Sequence, residues 1–170
     1  ETNLPEPSLH WLCEHCTAPL LADPVSTIKA PKLKPVLGRL TALKPNRIEA
    51  ELLSGVTIQT DADAARAAEK LLETGLRQVY ISLGSDGLYA ADREGHTARV
   101  ACPKIQDANA TGGGDAAAAA LAACIAHGKP LAETARLAIG AGALACTAET
   151  TIHPGMSWEN IEYILNKEEQ

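Results

Sequence analysis

The chain is organised around the stretch Asn109-Ala110-Thr111-Gly112-Gly113-Gly114-Asp115, which an alanine-rich run from Ala116 to Ala126 follows at once. Three glycines allow a sharp turn whose N–H groups can come close to a ligand, because no side chain is in the way. Alanine has the highest helix propensity, so we expect a helix to begin at or just after Asp115. The first turn of a helix has unpaired N–H groups and the positive end of the helix dipole, which together form an anion site.

Asp115 lies at the edge of this predicted anion site. A carboxylate there is placed to accept a proton from an attacking hydroxyl group. The alternative is structural, because Asp is a common N-cap residue and a glycine run before a helix can be a simple tight turn. No Gly-Lys-Ser/Thr follows, so the stretch is not a Walker A loop. The local pattern leaves both interpretations open, and the rest of the chain has to distinguish them.

The composition is that of a soluble globular protein with about one domain's length, 170 residues. There is no Phe and only 3% of the residues are aromatic, so the core has to be built from Leu, Ile, Val and Ala. The net charge of −6 argues against a nucleic-acid or membrane-surface binder, which would need a basic patch. The run from Ala116 to Ala126 is too short to span a bilayer. We therefore expect neither a nucleic acid nor a membrane as a partner.

The five cysteines are odd in number and scattered, which favours a reducing, cytoplasmic environment over a disulfide framework. Cys13 and Cys16 form a Cys-x-x-Cys pair with His10 and His15 nearby, a pattern that zinc or redox sites also use. No second ligand pair has metal-like spacing, and the segment has helical periodicity. We therefore expect two partly buried thiols one helical turn apart.

Apolar segments with the spacing of strands alternate with segments that have the spacing of helices. This pattern predicts an α/β fold, a doubly wound and mostly parallel sheet between two layers of helices. The predicted strands are 20–22, 40–43, 79–83, 88–91 and 97–101, and the predicted helices, besides the one after the glycines, are 9–16, 32–39, 49–53, 61–73, 131–146 and 157–165.

Polar clusters fall where predicted strands end or loops begin, at Asp23-Pro24, 44–49, 82–87 and 111–115. Ligands of open α/β sheets bind at this edge. Asn46 and Glu49 are three residues apart on one helical turn, so they could orient waters around a magnesium ion or could only cap the helix. Residues 82–87 offer backbone and hydroxyl donors for phosphates, or form only a hairpin turn. The clusters together are more specific than any one of them.

In these motifs the sequence resembles the ribokinase-like (PfkB) family of carbohydrate kinases. The family signature Asp-Thr-Thr-Gly-Ala-Gly-Asp corresponds to Asn109–Asp115, its Lys-Pro-Asn-x-x-Glu motif to Lys44–Glu49, and its Thr-Leu-Gly-x-x-Gly turn to Ser82–Gly87. Within the family the chain is most similar to pseudouridine kinases, which have Asp-Pro-Val-Ser, here 23–26, and an Asn at the position of Asn109.

The resemblance implies ATP-dependent phosphorylation of the 5′-hydroxyl of pseudouridine. Asp115 would be the general base, and the N–H groups of Gly112, Gly113 and Gly114 would form the anion hole for the transferred phosphoryl group. Asn46 and Glu49 would organise Mg²⁺ indirectly together with the phosphates. Residues 139–146 would form part of the adenine pocket. The nucleotide-binding residues it implies are Asn46, Ser82, Gly84, Ser85, Gly87 and Thr111.

Three departures limit what the resemblance implies. Many relatives have Asp where Asn109 stands, and that Asp helps to hold an activating potassium ion, so a monovalent-cation site is left open. Ile139 stands where ribokinase has an adenine-contacting Asn, so that contact is not carried over. Family members are about twice this length, and their N-terminal half supplies the sugar-binding residues and a lid.

We therefore expect residues 1–170 to be the C-terminal, ATP-binding and catalytic part of a ribokinase-like fold that is incomplete without that half. On this interpretation the chain is inactive alone, and a homodimer of the full-length enzyme stays open because the lid often mediates dimers. The alternatives are another ribokinase-like sugar or nucleoside kinase and a non-catalytic nucleotide-binding module.

Overall fold

Five short strands form one sheet in the computed structural model, which describes residues 2–105, 109 and 111–167. Strand β1 pairs with β2 and β2 with β3 in parallel, and Ala42 lies opposite both Leu21 and Gln78. Strand β4 runs antiparallel to β3. The Arg93 N–H, just after the end of β4, donates to Arg77 O, just before the start of β3, at 3.0 Å. The strands follow one another across the sheet in chain order: β1 (Leu21–Ala22), β2 (Ala42–Leu43), β3 (Gln78–Ser82), β4 (Leu88–Asp92) and β5 (Thr97–Val100).

The α-helices are α1 (Glu6–His15), α2 (Arg47–Ser54), α3 (Asp61–Leu72), α4 (Gly113–Ala126), α5 (Leu131–Cys146) and α6 (Trp158–Asn166). Helix α5 has the predicted bounds, and Ser157 caps α6 by accepting from the Asn160 N–H at 3.2 Å. None of the helices in the described part of the chain is long and apolar enough to cross a membrane. The prediction of a mixed α/β fold is confirmed.

The chain divides into two compact units, and the first is made of the described residues of Glu1–Gly84 and Tyr89–Ala98. Its core is mostly aliphatic, as the absence of Phe predicts, and Tyr80 is buried in the same unit. Helix α3 turns its alanines Ala64, Ala67 and Ala68 inward with no exposed surface. Because these side chains are small, the helix can pack closely on the other apolar residues of the core, which include Leu33, Leu37, Leu43, Val79 and Ile81.

The second unit is made of Ser85–Leu88 and the described residues of Arg99–Gln170. Helices α4, α5 and α6 form its core, with Ala120, Cys124, Leu137, Ala141, Leu144 and Ile161 buried together. Gly140 allows α6 to approach α5, since a Cβ there would lie 2.7 Å from Leu165 side-chain atoms. Small residues on α4 and α5 therefore determine how closely these helices pack.

Besides shifts of a few residues at the ends of other elements, three details differ from the sequence-based expectations. The helix expected at 32–39 is a 3₁₀ helix over Ala30–Arg39, because Pro31 and Pro35 have no N–H group to donate. The helix expected to begin at or just after Asp115 begins at Gly113. Cys13 packs against the core as expected, whereas Cys16, the C-cap residue of α1, is exposed.

Candidate active site

Gly112 turns the chain into helix α4. Its φ of 93° lies in the left-handed region, and a Cβ at this position would stand 2.3 Å from Thr151 O. Both the backbone angle and the contact require glycine here. Gly112 is the N-cap residue, and its carbonyl accepts the Ala116 N–H at 2.9 Å.

Gly113, the first residue of α4, lies against helix α5. A Cβ on Gly113 would lie 2.8 Å from Cys146 Sγ and 3.3 Å from Gly142 O. A Cβ on Gly142 would in turn lie 3.1 Å from Gly113 O. The two helices meet backbone to backbone at this point, so packing requires Gly113 independently of any ligand.

The first turn of α4 is open. In the part of the chain that the structure describes, no side chain caps it, and Gly114 and Asp115 are exposed. Asp115 is the third residue of the helix and not its N-cap, so the capping alternative for this carboxylate is wrong. An uncapped first turn has free N–H donors and the positive end of the helix dipole, and it can therefore bind an anion beside the Asp115 carboxylate.

Asn109 ties the glycine turn to the segment that follows α5. Its N–H donates to Cys146 O at 3.2 Å, its Nδ2 donates to Glu149 O at 3.2 Å, and its Oδ1 accepts the Thr111 N–H at 2.9 Å. Thr111 is exposed, and Ala110 of the same motif lies outside the described residues. The bond to Thr111 is local, but the sequence offers no local signal for Cys146 and Glu149, which are about forty residues away from Asn109.

The monovalent-cation site that the sequence leaves open can be compared with these contacts. A bound cation needs oxygen atoms directed at it. At Asn109 an amide N–H group, which is a hydrogen-bond donor, is directed at Glu149 O. The side chain is also neutral where many relatives have a carboxylate. Among the described residues, the Asn109 side chain and its contacts therefore do not fit a bound monovalent cation.

In the first unit, Asn46 and Glu49 cap each other at the start of α2. The Glu49 N–H donates to Asn46 Oδ1 and the Asn46 N–H donates to Glu49 Oε2, each at 2.9 Å. This reciprocal pair is a capping box. The capping interpretation of this pair is thus confirmed, and any role towards a metal would be additional to it.

Glu49 is a buried carboxylate in a charged surrounding. Only 2% of its surface is exposed, and this burial raises its pKa above the ordinary value, against the lowering effect of the hydrogen bond from Asn46 N–H. Of its charged neighbours, Asp23 raises the pKa further and Lys44 lowers it. The Lys44 Nζ is itself buried and lies 2.9 Å from Asp23 Oδ2. This ion pair joins the ends of β1 and β2, which are parallel neighbours. Because Asp23 directly follows β1 and Lys44 directly follows β2, the pair could have been expected once the two strands are placed side by side.

Ser82 lies beside Asn46 at the end of β3. The two residues form a parallel bridge, and both the N–H and the Oγ of Ser82 donate to Pro45 O, at 2.9 and 3.3 Å. The structure thus brings together Asn46, Glu49 and Ser82 of the predicted nucleotide and metal residues.

The turn that follows β3 is a short 3₁₀ helix, Gly84–Asp86. Gly84 and Ser85 are exposed, so their donors are accessible. Gly87 has a φ of 100°, and a Cβ there would stand 2.0 Å from Val100 O. The turn between β3 and β4 is therefore confirmed, and its exposed donors are compatible with either interpretation of this segment.

The segment 139–146, expected at the adenine pocket, lies within α5. Most of it is buried, including Ile139, and Gly142 and Cys146 face the glycine turn. Within the second unit the structure therefore brings Thr111 and 112–115 together with Asn109, Gly142 and Cys146.

The chain matches a family and several individual proteins. The model of the pfkB family of carbohydrate kinases matches residues 8–158. Pseudouridine kinase from Escherichia coli (strain K12) is 36% identical over 170 residues, which is 99% of this chain and 54% of that protein. The chain spans about half the length of the curated relatives it matches.

Solved structures give the same picture of the fold. A carbohydrate kinase from Agrobacterium tumefaciens is 30% identical, with a TM-score of 0.77 over 97% of this chain and 52% of that one. The ribokinase of Arabidopsis thaliana, solved with ribose and ATP, superposes with a TM-score of 0.79 over 95% of this chain and 53% of that one. At 23% identity the second comparison concerns the fold alone.

Proposed function

Because this chain belongs to the pfkB family of carbohydrate kinases, we propose that it forms the ATP-binding and catalytic part of a pseudouridine kinase. The reaction would be the transfer of the γ-phosphoryl group of ATP to the 5′-hydroxyl of pseudouridine. Asp115 would act as general base, and the N–H groups of Gly112, Gly113 and Gly114 would form the anion hole.

The observation that carries this proposal is the open first turn of α4. Gly112 is its N-cap without a side chain that could occupy the N–H groups, and the Asp115 carboxylate is exposed on the same turn. A carboxylate at a helix N-terminus that no described side chain caps combines a proton acceptor with anion-binding donors. Phosphoryl transfer requires both of these.

In this reaction the 5′-oxygen attacks the γ-phosphorus while its proton passes to the Asp115 carboxylate. The bond between the γ-phosphorus and the β,γ-bridging oxygen breaks, and ADP leaves. The negative charge on the transferred group is held by the N–H groups of the glycine turn. Such fixed donors act without reorganisation during the reaction, and removing one of them from a site of this kind typically costs about 10²–10³ in kcat.

Asn46 and Glu49 would help to position the magnesium ion by orienting the waters bound to it. The fit is indirect, because the Glu49 carboxylate is buried and one of its oxygens already accepts the Asn46 N–H. A magnesium ion usually keeps several waters, which such a carboxylate can orient. When bound, the ion would neutralise charge on the ATP phosphates. The exposed donors of Gly84 and Ser85, with Ser82 and Gly87, would lie along the nucleotide, and Thr111 would lie beside its phosphates.

The choice of pseudouridine rests on likeness to the Escherichia coli pseudouridine kinase and on the motif 23–26. In that motif Asp23 Oδ1 accepts the Val25 N–H at 2.9 Å, and its other oxygen pairs with Lys44. The motif thus has a defined conformation at the end of β1. The substrate is tested directly by measuring ADP release with pseudouridine, uridine, ribose and fructose 6-phosphate.

For that measurement we propose to use the whole protein that carries this chain, beside the 170-residue chain alone. The whole protein should release ADP most efficiently with pseudouridine, and the product should be pseudouridine 5′-phosphate by mass spectrometry. The chain alone should bind ATP weakly and turn over none of the acceptors. A preference for another sugar or nucleoside would replace pseudouridine as the substrate, and ATP binding without any turnover by the whole protein would favour a non-catalytic nucleotide-binding module.

A further inference from the structure

We propose that Asn109 is a positioning residue whose side-chain amide holds the glycine turn in place without a monovalent cation. The inference rests on the proposed function only in taking the glycine turn as the phosphate site. Its physical content is a set of hydrogen bonds within the second unit, and it can be tested without any enzyme assay.

The bonds of Asn109 connect three parts of the chain. Its backbone N–H reaches Cys146 O at the end of α5, and its Nδ2 reaches Glu149 O three residues later. Its Oδ1 accepts the N–H of Thr111, the residue before Gly112. One half-buried side chain therefore links the entrance of the glycine turn to the segment after α5.

The orientation of the amide is determined by its two partners. Oδ1 accepts from an N–H group and Nδ2 donates to a carbonyl oxygen. The flipped amide would place Nδ2 against the Thr111 N–H and Oδ1 against Glu149 O. A donor would then face a donor, and an acceptor would face an acceptor. The network thus permits one assignment, with the N–H towards Glu149 O.

The same segment touches the glycine turn at a second point. Gly112 approaches Thr151 so closely that a Cβ would stand 2.3 Å from Thr151 O. Residues 146–151 therefore contact the turn both through Asn109 and through Gly112. A displacement of this segment would move the backbone N–H groups that the proposed anion hole uses.

An aspartate at this position would have the opposite requirement. Its second oxygen would face Glu149 O at the place of Nδ2, and two oxygen atoms at hydrogen-bond distance repel each other. A cation coordinated by both oxygens would remove that repulsion. In this chain the amide hydrogen supplies the positive partner, so no cation is needed.

The test is the melting temperature of the purified protein in KCl, NaCl and tetramethylammonium chloride, each at about 0.15 M so that screening is equal. A cation that binds only the folded state raises the melting temperature, and at a fixed concentration the rise is larger the tighter the cation binds. Wild type should melt within about 1 °C in the three salts, a difference that corresponds to well under 1 kcal/mol for a chain of this size. A rise of more than about 3 °C in KCl or NaCl over tetramethylammonium would overturn the proposal.

Two variants test the role of the amide. Asn109→Asp should melt lower than wild type in tetramethylammonium chloride and should recover at least about 3 °C in KCl. Asn109→Ala should melt lower in every salt, without a difference between them. Asn166→Asp is the matched control, because the same change is made on an exposed end of α6 where the side-chain oxygen already accepts from Arg136.

If Asn109→Asp gains no cation dependence, the amide does not occupy the place of a cation and the proposal is wrong. If Asn109→Asp does not fold in any salt, the wild-type melting temperatures in the three salts still decide whether the proposal holds. Loss of kinase activity in all samples would count against the proposed function and would leave the melting temperatures, and hence this inference, unaffected.

Discussion

Gly113 on α4 and Gly142 on α5 face each other across the contact between the two helices. A Cβ on Gly113 would lie 3.3 Å from Gly142 O, and a Cβ on Gly142 would lie 3.1 Å from Gly113 O. On the Gly113 side the Cys146 Sγ is closer still, at 2.8 Å. The start of the proposed anion hole is therefore built on a helix–helix contact that only glycine permits.

Gly113→Ala should destabilise the protein. Alanine gains up to about 1 kcal/mol in helix propensity, but overpacking costs about 1–3 kcal/mol, so the net loss should be about 1–2 kcal/mol. Urea denaturation measures it. Cys146→Ala removes the nearest clashing atom, so the double variant should lose less than the sum of the two single variants. Additive losses would mean that the Cys146 Sγ doesn't cause the strain.

Asp115→Asn should lower kcat by about 10²- to 10⁴-fold in the whole protein, because the amide cannot accept the substrate proton. ATP affinity should change little, since the carboxylate acts on the hydroxyl group and not on the nucleotide. Steady-state kinetics and ATP titration measure both. Glu159→Gln, which removes an acidic group from the first turn of α6, is the matched control. A variant that keeps more than about a tenth of the wild-type kcat would exclude Asp115 as the base.

Glu49→Gln should change the pH dependence of stability. Burial raises the pKa of Glu49 in the folded protein above its ordinary value near 4.5, so the folded state holds this proton more tightly than the unfolded state. The corresponding stability is fully present below pH 4.5 and is lost as the pH rises through the raised pKa. Glutamine keeps the acceptor for the Asn46 N–H and does not ionise.

The melting temperature of Glu49→Gln relative to wild type should therefore be higher at neutral pH than at pH about 4. Melting curves of both proteins across this range measure the difference. The same difference at both pH values would mean that the carboxylate titrates alike in the folded and unfolded chain.

Glu49→Gln should also raise the magnesium concentration that the whole protein needs for half-maximal activity, because a negative charge near the hydrated ion is lost. Glu51→Gln on the same helix is the matched control, since its Oε1 accepts the Ile58 N–H and a glutamine can do the same. Magnesium titrations of the three proteins measure the effect. If the two variants and wild type gave one curve, the Asn46–Glu49 pair would be a helix cap alone.

Val25→Asn should stabilise the protein. Val25 has a φ of 66°, a left-handed conformation that costs a β-branched residue about 1–2 kcal/mol and that asparagine tolerates. The side chain is 45% exposed, so part of its burial is lost, which offsets some of this gain. The melting temperature should rise by about 2–4 °C for each kcal/mol gained. Ile28→Asn, at an 88% exposed position, is the control and should be close to neutral. A decrease for Val25→Asn would mean that the valine side chain makes a contact that outweighs the backbone strain.

Much of the fold and part of the candidate site follow from local sequence, because the interactions that form them connect residues a few positions apart. The capping box of Asn46 and Glu49 joins residues three apart, and the bond of Ser157 to Asn160 does the same. The alanine-rich run forms a helix through its own propensity, and Leu131–Cys146 is helical over its predicted length. Motifs of this kind are readable from the sequence since each contains both partners of the interaction.

The tertiary structure decided what depends on distant partners. Whether helix α4 begins at Gly113 or at Asp115 depends on contacts of the glycine turn with Gly142, Cys146 and Thr151, about thirty to forty residues away in sequence. Glu149, which accepts from the Asn109 amide, lies at a similar distance, and the ion pair of Asp23 with Lys44 requires β1 and β2 to be neighbours. The sequence by itself determined which residues can bind an anion or carry a proton. Only packing determined where helix α4 begins, because the backbone positions of its neighbours do not follow from local propensity.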